Sequence, residues 1–178
     1  MPSDWPDRRW RIEHAQHLDP SDIPRFGELG VVASMQPVHC TSDGPWVPTR
    51  LGEQRASQGA YAWRSLLDSG AVVTAGTDAP VEALDTVPTL TAAVTRRMAD
   101  GGRFHPEQAM TREEALRAMT RDAAWAVFDE DVAGTLEVGK YGDVTVLSQD
   151  ILTVPEDRLA ATTIVATIVG GVVRYRAR

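Results

Sequence analysis

Asp78 is the most suggestive acid in this chain. It follows a short apolar run, Ala71–Ala75, from which Gly76 and Thr77 separate it, and Pro80 comes shortly after. The run reads as a parallel strand covered on both faces, and Pro80 stops it. A carboxylate just past the C-terminal end of a buried parallel strand sits where open sheets and (β/α) barrels carry out their chemistry. An Asp-Ala-Pro sequence serves equally well as a turn cap. His14 closes a second short run, Trp10–His14, and Gln36 a third, Val31–Gln36, with His39 just beyond. Neutral imidazole and carboxylate are good ligands for Zn²⁺ and similar cations. Water on such a cation ionises near neutral pH, and a neighbouring carboxylate can carry its proton to a leaving group. His14 and Asp78 alone are too few ligands for such a site. There is no His-x-His pair, since His14 and His17 are three residues apart and His39 and His105 are isolated. On residue types alone His14 is as well read as a hydrogen-bonded core histidine, His39 as a solvated loop histidine and the single cysteine, Cys40, as a spectator thiol.

The elements that must position these groups follow from the patterning. Trp10, Ile12 and His14 share one face and Arg11 and Glu13 the other, the period of a strand with one buried side. Asp19 and Pro20 predict a helix start, with Ile23, Phe26 and Leu29 as its apolar stripe and Gly30 as its end. Val31–Gln36 is a second strand, stopped by Pro37. Residues 38–53 read as a long polar loop holding His39, Cys40, Asp43, Trp46 and Arg50, and loops that long in compact domains are commonly functional. One helix is expected over Gln54–Ser69, with Tyr61, Leu66 and Leu67 turned to the core. The strand Ala71–Ala75 comes next, then a helix from Pro88 to about Asp100. Such alternation predicts an α/β fold with a parallel sheet and helical crossovers. Every strand in it ends at a polar residue able to reach one shared site: His14, Gln36 or His39, and Asp78.

The rest of the chain has another texture. Thr111–Glu114 has the pattern of a capping box and opens a helix through Ala115, Ala118 and Met119; a second helix, Asp122–Val127, carries Trp125. Strands are expected at Thr135–Val138 and Asp143–Ser148, and Ile164–Val169 pairs with Val172–Tyr175 across a Gly170–Gly171 hairpin turn. We place a boundary near residue 130, with α/β structure in 1–130 and a small antiparallel sheet in 131–178.

Composition narrows the function classes. An apolar share of 43% supports a real core, and a net charge of -7 argues against a nucleic-acid footprint. No apolar run approaches the ~20 residues of a membrane span, and Met1–Trp10 lacks the apolar centre of a signal peptide. A single cysteine excludes an internal disulfide. The expectations are a cytoplasmic location and neither nucleic acid nor membrane as partner.

Seven blocks then occur in order: Arg11–Gln16 (RIEHAQ), Val31–Pro37 (VVASMQP), Leu51–Arg55 (LGEQR), Gly76–Val81 (GTDAPV), Gly134–Lys140 (GTLEVGK), Asp143–Leu147 (DVTVL) and Thr167–Gly171 (TIVGG). Together they resemble the C-terminal part of the amidohydrolase superfamily, in particular the YtcJ-like or amidohydrolase 3 family, which includes N-substituted formamide deformylase. The resemblance runs from Arg9 onward. It implies the C-terminal portion of a (β/α)₈ TIM-like barrel, strands six to eight with their helices, over 1–130, and part of a small composite β-sandwich over 131–178. By the resemblance, His14 matches the metal-binding histidine after strand six. Asp78 matches the strand-eight aspartate that binds metal and shuttles protons in the hydrolysis of non-peptide C–N bonds. Gln36, His39 and Arg55 fall in blocks near the barrel mouth and are implied substrate contacts.

The family's strand-one His-x-His pair and its first five strands are not in this chain, and a whole barrel takes ~250 residues. The implied cofactor is a divalent metal, with zinc as the expected ion, and the implied substrate a small-molecule amide. The expected partners are a missing N-terminal segment, a complementary chain, or self-association through exposed sheet edges. The alternative is a catalytically incompetent fragment that acts as a structural or interaction module.

Overall fold

The computed structural model describes residues 7–178; Met1–Pro6, and with them most of the stretch read as lacking a leader, lie outside the described residues. Two three-stranded sheets organise the described residues. The first contains β1 (Arg11–Glu13), β2 (Val32–Met35) and β3 (Val73–Ala75) in that order, all parallel. Ile12 pairs with Ala33, which pairs in turn with Val73. The central strand is apolar on both faces, as its position requires: Val32, Ala33 and Met35 are all buried. The alternation of strands and helices places the chain in the α/β class.

β1 departs from expectation. Its three residues are all exposed, and the flanking Trp10 is 66% exposed. It is an edge strand bonded only to β2, and among the described residues no element covers the face that carries Ile12. On the other face Arg11 pairs with Glu13, which also accepts a hydrogen bond from Ser34 Oγ. That hydroxyl, followed by Arg11, holds the Glu13 carboxyl below the usual carboxylate range.

The first crossover helix, α1 (Ile23–Leu29), starts later than Asp19 and Pro20 suggested. Asp19 instead accepts bonds from the backbone N–H and hydroxyl of Ser21, so these residues form a turn before the helix. Residues 38–53 are not a loop. They fold as α2 (Pro37–Asp43) and α3 (Val47–Leu51), with Pro37 and Pro48 in the first turns. Those two prolines were the available signal, since proline at a first helical turn gives up no intrahelical bond.

The single helix expected over 54–69 is two helices, α4 (Glu53–Gly59) and α5 (Trp63–Asp68). The break has a specific cause. His17 and Ala60 form an antiparallel bridge, Leu18 N–H donates to Gly59 O and Tyr61 N–H donates to Gln16 O. A Cβ at Gly59 would lie 1.9 Å from the Leu18 carbonyl oxygen, so only glycine permits this approach. The zipper turns Tyr61 inward, where it is 1% exposed.

After β3, α6 (Thr86–Thr95) is capped by Asp85, whose side chain accepts from Val87 N–H. It ends before the expected Asp100 because Arg96 takes a left-handed backbone, φ 51°. Arg96 is fully buried, with no carboxylate partner among the described residues. Its Nε donates to Phe104 O, Nη1 donates to Tyr61 O, and the guanidinium stacks 4.2 Å over the Trp63 ring. A 3₁₀ turn, Pro106–Gln108, leads to α7 (Arg112–Met119) and α8 (Arg121–Ala126). The capping box of Thr111 and Glu114 is present as expected.

Glu114 has a second role. Its carboxylate receives two bonds from the Arg64 guanidinium, which hold its pKa down at about 2. The folded value lies below the ordinary glutamate value of 4.5, so this contribution is complete above pH 4.5 and is lost as the pH falls toward 2. We expect Glu114→Gln to cost about 2 kcal/mol at neutral pH. The variant should also show a flatter fall in stability between those two pH values than the wild type, as read by urea unfolding across acid pH.

The second sheet is antiparallel: β4 (Val144–Leu147), β5 (Ile164–Val169) and β6 (Val172–Arg176), with α9 (Glu156–Leu159) between β4 and β5. Gly170 and Gly171 both have positive φ and make the expected hairpin turn. Thr135–Val138 is not a strand. Thr135 Oγ1 bonds Glu137 and receives Lys140 Nζ, and these local contacts replace a ladder, leaving Leu136 and Val138 exposed. One hydrophobic cluster joins the parallel sheet and its helices to Ile151 and Leu159. No helix among the described residues is long and apolar enough to cross a membrane.

Candidate metal centre

The site residues lie at or just past the C-terminal ends of the parallel strands. His14 comes directly after β1, and Asp78 comes after β3, where Gly76 N–H still donates to Met35 O. Both have left-handed backbones, φ 67° and 60°, a conformation that non-glycine residues adopt at some cost and that clusters at functional sites. Gln36 caps the junction of β2 and α2, and His39 lies in the first turn of α2. Gln36 and His39 are buried, while His14 and Asp78 are partly open to solvent.

The parallel sheet brings these groups together. His14, His39 and Asp78 each offer one ligand atom, all within 4.8 Å of one another. His39 Nε2 is 3.5 Å and His14 Nδ1 4.0 Å from Asp78 Oδ2. The two imidazoles are nearly parallel, 5.9 Å between centroids. His14 Nδ1 lies 2.7 Å from Gln36 Oε1. With Nδ1–H as donor to the amide oxygen, Nε2 would keep its lone pair, the orientation found when a histidine's far nitrogen binds metal. One imidazole, one carboxylate and a second imidazole nearby form a donor set suited to Zn²⁺ or a similar cation.

Arg55 is the exception among the residues singled out from sequence. It lies on the exposed side of α4, where its charge is felt by His17 and Asp19. No hydrogen bond or ion pair joins it to the cluster among the described residues.

Three residues that sequence reasoning did not place at the site stand behind it. Gln16 Nε2 is 3.2 Å from His39 Nδ1 and donates to Tyr61 OH, 2.9 Å away, and Tyr61 OH donates to Asp43 Oδ2 at 3.0 Å. The only signal for Gln16 is its place as the last residue of the block that contains His14. Tyr61 reads from sequence as core, which it also is. Burial, and then the Asp43 carboxylate, push the Tyr61 phenol pKa up and keep its proton in place.

Cys40, next to His39, is fully buried, and burial pushes its thiol up to about 12. It is absent from the donor cluster and fits the spectator role. We expect a thiol reagent to leave the folded chain unmodified and to label one equivalent in denaturant.

A profile described as the amidohydrolase family matches residues 2–175. The chain belongs to the amidohydrolase family. Among its curated relatives in that family, the protein LONG AFTER FAR-RED 3 of Arabidopsis thaliana is 37% identical over 166 residues, 93% of this chain and 28% of its own length. YtcJ of Bacillus subtilis (strain 168) is 31% identical over 171 residues, 94% of this chain and 32% of its own. N-substituted formamide deformylase of Arthrobacter pascens is 28% identical over 165 residues, 93% of this chain and 30% of its own. The chain thus spans about a third of the length of the curated relatives it matches. Among solved structures, an uncharacterized metal-dependent hydrolase from Pyrococcus horikoshii OT3 superposes with a TM-score of 0.72 at 32% identity, over 83% of this chain and 30% of that one. A variant of atrazine chlorohydrolase TrzN from Arthrobacter aurescens TC1, complexed with zinc and atraton, has a TM-score of 0.63 at 25% identity, over 93% and 36%. Family and neighbours together make this amidohydrolase chain kin to metal-dependent hydrolases.

Proposed function

We propose that this chain carries the C-terminal share of the active centre of a metal-dependent amidohydrolase that hydrolyses a non-peptide C–N bond in a small-molecule amide. The observation that carries the reading is the meeting of His14, His39 and Asp78, from three separate elements, within 4.8 Å. On this reading β1, β2 and β3 are strands six, seven and eight of a (β/α)₈ barrel. Residues 1–130 are the C-terminal portion of that barrel and 131–178 the C-terminal share of a composite β-sandwich.

His14, through a ring nitrogen, and Asp78, through its carboxylate, would hold a divalent cation, with zinc as the ion their nitrogen and oxygen donors suit. That cation, when bound, acts as a Lewis acid toward a carbonyl oxygen and acidifies water. Asp78 takes a proton at its carboxylate oxygen and passes it to the departing nitrogen. Gln36 fixes the plane of the His14 ring, and with His39 it lines the approach of the substrate. Two protein ligands fall short of the three of a catalytic zinc site, so further ligands come from another polypeptide segment or a complementary chain.

The test is hydrolysis of an N-substituted formamide by the chain reconstituted with Zn²⁺ and a polypeptide that supplies the remaining ligands, such as the N-terminal part of a curated relative, compared with the same complex treated with chelator. Turnover that needs the metal supports the reading, and turnover indifferent to the chelator overturns it.

One observation favours a second reading, an interaction module. β6 is exposed along its whole length, with Val172, Val173 and Tyr175 half exposed, and β1 is an exposed edge. Such edges and apolar patches recruit partner strands. A chain that binds no metal yet self-associates in analytical ultracentrifugation would favour this role over catalysis.

A further inference from the structure

The geometry points to a one-way hydrogen-bond relay, Asp43–Tyr61–Gln16–His39, that locks His39 as its Nε2–H tautomer. His39 then serves Asp78 as a hydrogen-bond donor and positioning residue, not as a third metal ligand. The inference rests on the proposed function for the meaning of Asp78, but the direction of the relay stands on its own bonds.

The direction follows from counting protons. A carboxylate only accepts, so the single proton of Tyr61 OH is committed to Asp43 Oδ2 at 3.0 Å. Tyr61 oxygen can then only accept from Gln16, and the group 2.9 Å away must be the amide NH₂, not the amide oxygen. This settles the amide orientation, which heavy-atom positions alone leave open. The same nitrogen, 3.2 Å from His39 Nδ1, has one hydrogen left, so Nδ1 is the acceptor. A neutral imidazole that accepts at Nδ1 carries its proton at Nε2.

That Nε2 is buried, has no hydrogen-bond partner in good geometry, and lies 3.5 Å from Asp78 Oδ2. A ring nitrogen bearing a proton has no lone pair for a cation. At 3.5 Å the Asp78 carboxylate is the acceptor that a small movement of either side chain would bring into hydrogen-bond range. The zipper of residues 16–18 against 59–61 holds the relay in place, since it positions both Gln16 and Tyr61. His14 has no such chain behind it: its Nδ1 meets only the Gln36 side-chain amide, 2.7 Å away, and a bond Nδ1–H···Oε1 there would leave Nε2 its lone pair.

The experiment is long-range ¹⁵N–¹H NMR of the ¹⁵N-histidine-labelled 178-residue chain in mildly alkaline buffer, before and after Zn²⁺. The relay predicts that His39 has a protonated Nε2 and a pyridine-type Nδ1, and that Zn²⁺ shifts the His14 ring nitrogens while the His39 Nε2 proton remains. A His39 ring protonated at Nδ1, or one that loses its Nε2 proton to Zn²⁺, overturns the inference. Gln16→Glu replaces the donor by an acceptor and should reverse the tautomer; an unchanged tautomer in that variant also overturns the relay. As a second readout, His39→Gln, which keeps a donor, should weaken Zn²⁺ affinity by less than about tenfold, while His14→Ala weakens it by more than about 100-fold. Equal losses would make His39 a ligand. Should Zn²⁺ not bind at all, the proposed function fails, while the tautomer of the metal-free chain still decides the relay.

Discussion

Asp78→Asn is expected to lower kcat for amide hydrolysis by the chain complemented with its remaining ligands by about 10³-fold, within the range for loss of a positioned acid–base group. The substitution keeps the size of the side chain and its turn: Asp78 engages the residues after it through its main-chain carbonyl, which accepts from Val81 N–H at 2.7 Å. Asparagine also tolerates the left-handed backbone found here, φ 60°. The fold should therefore survive, with an unchanged urea midpoint. What is lost is the negative charge 3.5 Å from His39 Nε2 and 4.0 Å from His14 Nδ1, and with it a proton acceptor. Steady-state kinetics separates the cases. A fall in kcat with little change in KM marks a group that works in the transition state. A variant with wild-type kcat would leave Asp78 no role in the chemistry.

Arg96→Met should be the most damaging conservative substitution in the core, at about 3 kcal/mol. Methionine fills much of the same volume and retains the apolar contact with Trp63 and Phe104. It leaves the Phe104 and Tyr61 carbonyl oxygens, now bonded by the guanidinium, buried and unpaired at roughly 1–3 kcal/mol each. Part of that loss is offset because the guanidinium is itself costly to bury, and burial pushes its pKa down. The left-handed backbone at this position is no worse for methionine than for arginine, so strain does not enter the difference. Urea unfolding should show a lower midpoint with an unchanged m value. Because the Tyr61 carbonyl is one of the two released, the Tyr61 end of the relay should loosen as well.

Much of the architecture could be read from local chemistry. Gly30, the Thr111–Glu114 capping box and the Gly170–Gly171 turn are each set by backbone preferences within a few residues, and each appears where expected. The apolar runs of β2 and β3 are near-continuous because both faces are covered, which makes such strands conspicuous in a sequence. The errors share a different cause. The break at Ala60–Ala62 is imposed by residues 16–18, and nothing inside Gln54–Ser69 announces it beyond Gly59. The exposure of β1 depends on what packs against it, which an alternating pattern does not reveal. Thr135–Val138 has strand-like residues but bonds to itself through Lys140.

The site divides in the same way. His14, Gln36, His39 and Asp78 could be picked out because each closes or follows a strand, and a parallel sheet places such positions at one end. Gln16, Tyr61 and Asp43 could not, since their meeting depends on the zipper across 16–61 and on an α2 that reads as loop. Arg55 differs: its block suggests a place near the site, and the fold leaves it exposed on α4, without a bond to the His14–His39–Asp78 cluster among the described residues.

The measurement that bears most directly on the central claim is a calorimetric Zn²⁺ titration of the chain beside its His14→Ala and Asp78→Ala variants. Calorimetry reads metal occupancy without needing substrate. One cation per wild-type chain is expected, at the modest affinity that two protein ligands allow, with its loss in both variants. Zn²⁺ binding of equal stoichiometry and affinity in all three would contradict a centre built on His14 and Asp78.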